Sequence, residues 1–274
     1  MRDSLIAALQ ETGLRVRIVG EATGPRTQTF ILRPEGSTLV RQIRSRLEDI
    51  SVFLGVPLIS MRLEDGQLKV EVARQDPDFP ALFETVRLGK IKRPGDVVLG
   101  VNNVGQLVQT SFRDLPHLLI AGTTGSGKSV ALHSILTGMV ATHAASDLRL
   151  VLIDPKRLEL RRYAGLPHLA CDITVQAQAA ADTLLGVVRM MEMRYQKLER
   201  MGLTSAHECP AEFPMFLVVV DEYADLLSDQ EAGIEDLLIR LAQKSRAAAI
   251  HLVVATQRPS VDVVTGRLKA NFPA

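Results

Sequence analysis

The run "GTTGSGKS", Gly122 to Ser129, sets a glycine, four free positions and a second glycine ahead of Lys-Ser. Glycines at 122, 125 and 127 let backbone N–H groups turn inward around phosphates, and a helix starting near Gly127 adds its positive end. A lysine closing such a loop neutralises the β- and γ-phosphates of a nucleotide, and the hydroxyl after it is a Mg²⁺ ligand. The pattern therefore assigns Gly122, Thr123, Thr124, Gly125, Ser126, Gly127, Lys128, Ser129 and Val130 to nucleotide binding, with Lys128 as the phosphate clamp and Ser129 on the metal.

A second run, "FLVVVDE", ends an apolar stretch in Asp221 and Glu222. Asp221 sits where a carboxylate holds Mg²⁺ through water, and Glu222 is the candidate general base for an attacking water. An adjacent acidic pair suits hydrolysis better than a switch, so the expected substrate is ATP. In "IHLVVATQ" the polar tip, Thr256 and Gln257, either hydrogen-bonds the γ-phosphate or the water, or simply ends a strand. "LIDPKRLEL" offers Asp154 and Lys156, for the nucleotide or for a salt bridge within the loop. Cys171 and Cys209 lack metal-type spacing, as does His117, and Met190, Met191 and Met193 read as helix packing.

These residues need strand tips to carry them. From Leu115 onward short runs of Val, Leu and Ile ("HLLIAG", "LRLVLID", "FLVVVDE", "IHLVVATQ") alternate with helical stretches, including "GIEDLLIRLAQKSRA". That alternation predicts a parallel sheet covered on both faces. Before it, "MRDSLIAALQETG" reads as a helix, "TQTFILRP" as a strand, and "STLVRQIRSRLEDISVFLG" as one helix with an apolar face. "LISMRL" and "LKVEVA" flank "EDGQ" as a hairpin, so the amino-terminal part is a small β-α-β-β unit. "QDPDFP" and "KIKRPGD" bracket a link, and "VVLGVNNVGQLVQTS" is a further hairpin turning at Asn102–Gly105. The expected organisation is a small α+β domain over 1–93 and an α/β domain over 94–274.

Composition narrows the function classes. Hydrophobic residues at 46% and charged residues at 23% are ordinary for a globular chain with a sizeable core. Aromatics at 4%, with no Trp, argue against a stacking platform for single-stranded nucleic acid. A net charge of +1 gives no overall pull towards a polyanion, so such a partner needs a local basic surface or a ring of subunits. Two cysteines suggest a reducing compartment, and no signal peptide or apolar run of membrane-spanning length is present. A cytoplasmic location is expected, possible at the membrane's cytoplasmic face only through a partner or a missing segment.

Four stretches, "HLLIAGTTGSGKSV", "LIDPKRLEL", "VVVDEYADLL" and "RLAQKSRAAAIHLVVATQRPSVDVVTGRLKAN", closely resemble the motor domain of the FtsK/SpoIIIE DNA translocases. The first ninety or so residues resemble, more weakly, the small α domain that precedes that motor. The resemblance implies a RecA-like P-loop NTPase that forms a homo-hexameric ring around double-stranded DNA and moves it with ATP and Mg²⁺, in chromosome segregation or conjugation. It implies that Lys128 and Ser129 serve nucleotide and metal, and that Asp221 and Glu222 are the hydrolytic pair. Arg246 in "QKSRAAA" matches the arginine finger; it lies at the far end of its helix from Glu222, suited to a neighbour's nucleotide. Arg258 matches a loop facing the pore, where a guanidinium holds a DNA phosphate. Arg267 and Lys269 either add to that contact or are solvated charges.

The family's motor continues into further strands, a second pore loop and often a winged helix, so the chain is expected to be a fragment, a truncated product or a degenerate relative. The "HLLIAG" strand is then expected at a sheet edge beside "IHLVVA". Two other functions compete with the translocase: a protein-secretion ATPase of the same fold, and a nucleotide-binding module without turnover.

Overall fold

The computed structural model describes residues 1–227 and 233–272. The chain forms two compact units, Met1–Leu88 with Gly100–Val108, and Gly89–Leu99 with Gln109–Ala274. The division is therefore not a single cut near residue 93. The tip of the hairpin formed by Asp96–Val101 and Leu107–Ser111 groups with the first unit. There Thr27 Oγ1 donates to the Asn103 carbonyl (3.2 Å) and Asn103 Nδ2 donates to Glu71 (3.2 Å).

The first unit runs α1 (Arg2–Glu11), β1 (Val16–Thr23), β2 (Thr27–Pro34), α2 (Val40–Ser45), α3 (Leu47–Leu54), β3 (Leu58–Glu64), β4 (Gln67–Ala73) and α4 (Leu82–Leu88). Its antiparallel sheet has the order β1-β2-β4-β3. One face packs Phe30, Leu32, Leu68, Val70 and Val72 against Leu5 and Leu9 of α1, Ile43 of α2, and Ile50 and Leu54 of α3. Asp65 and Gly66, both at positive φ (52° and 72°), make the tight β3–β4 turn.

Two elements differ from the sequence expectation. The unit has a fourth strand, β1, hidden by Gly20, which breaks the apolar alternation at a register shift between Ile18 and Gly20. The predicted long helix is two helices, because Arg46 leaves helical geometry (φ −109°, ψ 10°). Its amide donates three residues back to the Ile43 carbonyl, while Ile43 and Ile50 both stay in the core. The apolar period thus crosses the break and conceals it.

The second unit holds the hairpin β5 (Asp96–Val101) and β6 (Leu107–Ser111) through its base, then β7 (His117–Ala121), α5 (Lys128–Thr142), β8 (Leu148–Ile153), α6 (Ala177–Met201), β9 (Met215–Val220), α7 (Tyr223–Leu226), α8 (Ile234–Lys244), β10 (Ile250–Thr256) and α9 (Gly266–Lys269). All pairings in the sheet β7-β10-β9-β8 are parallel. Side chains alternate between its faces. Val151, Ile153, Val218, Val220, Leu252 and Val254 meet α6 and α8 on one side. Leu150, Leu152, Leu217, Val219 and Val253 meet Leu132, Ile135, Leu136 and Met139 of α5 on the other. Both faces being buried, each strand reads as a continuous apolar run, which is why these strands are legible in the sequence.

Among the charges buried in this unit, Arg194 serves packing. Arg194 of α6 is buried and donates to the carbonyls of Ala248 (2.6 Å) and Pro214 (2.7 Å), with its guanidinium 4.9 Å from the centre of the Phe216 ring. It ties α6 to the chain segments that enter β9 and β10. Among the described residues no helix is long and apolar enough to cross a membrane.

Candidate nucleotide site

All four parallel strands deliver their carboxyl ends to one edge of the sheet, where ligands of open α/β sheets bind. The loop after β7 is drawn towards the tip of β10: Gly122 N donates to the Thr256 carbonyl (3.2 Å) and Thr124 Oγ1 donates to Gln257 Oε1 (3.3 Å). Gly125 and Gly127 have φ of 80° and 93°, which side chains disfavour, so the loop's curl requires glycine there. Gly127 begins α5 without a side-chain cap. Its first amides are therefore free for an anion.

Lys128, the first residue of α5, is buried and reaches the tip of β9. Its Nζ donates to the Asp221 carbonyl oxygen at 2.9 Å and to Asp221 Oδ1 at 2.8 Å. Burial pushes the Asp221 carboxyl above its usual range, and the Lys128 ammonium opposes that shift. Lys128 and Asp221, the candidate clamp and the candidate metal carboxylate, are thus paired with one another in this structure.

Glu222 is also buried, and its carboxylate is held from several sides. Thr256 Oγ1 donates to Oε1 at 2.8 Å, and Gln257 N donates to Oε1 and Oε2 at 3.0 and 3.1 Å. Lys156 Nζ stands 3.4 Å from Oε2 and 3.6 Å from Asp225. Lys156 makes its salt bridge outside its own loop, contrary to the expected bridge within it, and the partner is the candidate base. The Thr256 hydroxyl is likewise spent on that base. Asp154 is fully buried and serves the fold: Oδ2 accepts from Leu160 N at 3.0 Å.

Sequence reasoning passed over Glu159 in the same motif. Ser129 Oγ donates to its Oε1 (2.9 Å) and His133 Nε2 lies 2.9 Å from its Oε2. Those contacts, His133 first and then Ser129, hold the Glu159 carboxyl below the usual range. An acid six residues beyond the end of a strand gives no pattern signal. Only the turn of chain after β8 brings it to α5.

Arg246 sits elsewhere. It precedes β10, whose seven residues at about 3.3 Å each put roughly 20 Å between it and the strand tip. Its Nε and Nη2 donate to the Arg113 carbonyl at 3.2 and 2.7 Å. Beside it stack His207 and His251 (ring centres 5.4 Å apart), with His117 6.4 Å from His251. Burial depresses all three: His117 and His207 to about 4 and His251 well below its ordinary value. Arg258 directly follows Gln257 and is exposed. Arg267 pairs with Asp236 (3.1 Å) on the surface, and Lys269 is exposed.

The oxygen donors beside Lys128, the Ser129 hydroxyl and the Asp221 carboxylate, are of the hard kind Mg²⁺ takes. Among the described residues no group of three or more His, Cys, Asp or Glu is arranged to hold a metal. Mg²⁺ in nucleotide sites binds through one or two protein groups plus phosphates and water.

A phosphate loop after β7, an acidic pair ending β9, and β10 inserted between those two strands define a RecA-like P-loop ATPase fold. The fold agrees with solved structures. The conjugation coupling protein TcpA of pCW3, in its monomer form with ATPγS, superposes with a TM-score of 0.63 at 21% identity, over 99% of this chain and 81% of that one. The cytoplasmic domain of the type VII secretion ATPase EccC from Thermomonospora curvata gives 0.56 at 23% identity, over 71% of this chain and 25% of that one.

Sequence relationship narrows the class. The FtsK/SpoIIIE family model matches residues 87–213 and 203–261, and the chain belongs to that family. The DNA translocase FtsK of Chlamydia muridarum is 34% identical over 98% of this chain and 37% of its own length. The DNA translocase SftA of Bacillus subtilis is 35% identical over 99% of this chain and 30% of its own. The chain thus spans about a third of these relatives.

Proposed function

We propose that this chain is the ATP-hydrolysing motor portion of a double-stranded DNA translocase, preceded by a small domain, and that it works in a homo-hexameric ring. The observation that carries the reading is the buried cluster Lys128–Asp221 with Glu222, at strand tips directly beside an uncapped phosphate loop. The phosphate loop binds ATP, and Lys128 leaves Asp221 for the β- and γ-phosphates. Ser129 and Asp221 hold Mg²⁺, which, when bound, offsets the charge of the phosphate oxygens. Glu222 accepts the proton of the attacking water. For that it must turn away from Thr256 and Gln257, since both of its oxygens are engaged. Gln257, already touching Thr124 of the loop, is the group best sited to respond to the γ-phosphate.

In this reading Arg258 contacts a DNA backbone phosphate, with Arg267 and Lys269 adding to the basic surface. Arg246 serves the nucleotide of the adjacent subunit. The names of the relatives favour DNA over a secreted polypeptide as the cargo. The test is the ATPase rate with and without duplex DNA at several protein concentrations, against a Lys128→Ala control. Activity above the control that rises with DNA is expected. Hydrolysis indifferent to DNA would shift the reading to a secretion ATPase, and a rate equal to the control would leave a binding module.

A further inference from the structure

Glu159 sits on the very hydroxyl that the phosphate loop offers to a metal. Ser129, His133 and Thr137 recur every four residues along one face of α5. Glu159 and Tyr163, also four apart, face them from the turn of chain after β8. The two rows interlock: Ser129 Oγ donates to Glu159 Oε1 (2.9 Å), Glu159 Oε2 meets His133 Nε2 (2.9 Å), His133 Nδ1 meets the Tyr163 hydroxyl (3.0 Å), and that hydroxyl meets Thr137 Oγ1 (3.1 Å). The Glu159 row is anchored independently of the loop. Leu160 is fully buried with its amide on Asp154, and Tyr163 is packed in the core beside α5.

A hydroxyl has one proton and two lone pairs. Committing the Ser129 proton to Glu159 leaves the lone pairs turned to the other side of Oγ, free for a cation. An anionic acceptor also makes the oxygen more electron-rich, as carboxylates do when they support a metal ligand from behind. We propose that Glu159 is a positioning residue for Mg²⁺: it fixes the Ser129 hydroxyl in the metal-binding orientation, and His133 holds it in place. The inference rests on the reading of Ser129 as a metal ligand and adds a residue which that reading does not contain.

The test measures binding of a fluorescent non-hydrolysable ATP analogue in excess Mg²⁺ and in EDTA, so that turnover plays no part. Wild type is expected to bind more tightly with Mg²⁺, and Ser129→Ala to lose that gain. Glu159→Ala should lose about tenfold of the gain, the low end for removing such a supporting partner, with its EDTA affinity unchanged. Glu159→Gln, which keeps an acceptor oxygen, should recover part of it. Glu159→Ala added to Ser129→Ala should do nothing more, because Glu159 acts through Ser129. The inference fails alone if Glu159→Ala keeps the full Mg²⁺ gain, if it weakens binding equally in EDTA, or if its effect adds to that of Ser129→Ala. A wild type indifferent to Mg²⁺ overturns the metal reading and this inference with it.

Discussion

Lys128 and Glu222 are both engaged by groups of their own chain. Lys128 spends two hydrogen bonds on Asp221, and Glu222 accepts from Thr256 and Gln257 while pairing with Lys156. In the proposed function nucleotide displaces the first set, whereas hydrolysis requires release from the second. The two substitutions therefore separate. Glu222→Gln preserves the shape and one acceptor oxygen but removes the base, so ATP binding should persist with turnover about 100-fold slower. Lys128→Ala should weaken binding itself and leave Asp221 buried without its cation. Equal ATPase rates for wild type and Glu222→Gln, in a preparation shown to be active, would contradict the assignment. At this scale the sequence was most legible where chemistry demands adjacent residues, as in 122–129 and Asp221–Glu222. Glu159 was invisible because its link to Ser129 spans thirty positions and depends on where β8 releases the chain.

Elements followed their apolar pattern wherever burial was uniform. The four strands of the parallel sheet have both faces covered and announce themselves as runs of Val, Leu and Ile. β1 has one buried face and a glycine at its register shift, and it did not. No pattern foretold the histidine stack either, since its rings come from β7, from the stretch before β9 and from β10. That stack has a consequence for acid stability. His117 and His207 are held near 4 and His251 well below its ordinary value, against about 6.5 unfolded. Between those values the unfolded chain binds more protons than the folded one, so stability falls as pH drops from about 7 towards 4. The Arg246 cation adjoining the rings acts in the same direction. Asp221, shifted upward, acts in the opposite sense, but it is common to wild type and variant. His251→Asn keeps a donor for the Pro116 carbonyl that His251 Nδ1 faces at 3.1 Å and removes one titrating ring. The fall in melting temperature from pH 7 to pH 5 should be shallower in that variant than in wild type. An identical pH dependence in the two would show that the stack is not what titrates.

The sheet as a whole has two unlike edges and two unlike ends. Beyond β8, residues 168–174 supply backbone partners: Leu150 N donates to His168 O (2.8 Å) and Ala170 N donates to Leu150 O (2.9 Å). Beyond β7 no strand is paired among the described residues, as the strand order places it outermost. An outermost strand is where another segment or another chain can pair. The ends differ more. Lys128, Asp221 and Glu222 gather at the carboxyl end, whereas Arg246 lies about 20 Å away at the amino end, bonded to the Arg113 carbonyl. A guanidinium that far off cannot stabilise charge on its own chain's nucleotide without dismantling β10. Any catalytic role for it must be exercised on another copy, and in the proposed ring each site then needs two subunits. Specific ATPase activity should accordingly rise with protein concentration as subunits associate. Mixing Arg246→Ala subunits into wild type should depress activity by more than their mole fraction, because each one disables the neighbour it faces. Activity that tracks the wild-type fraction linearly, or that stays constant on dilution to a demonstrated monomer, removes the arginine from the reaction and leaves it as a tie between the end of α8 and the segment before β7.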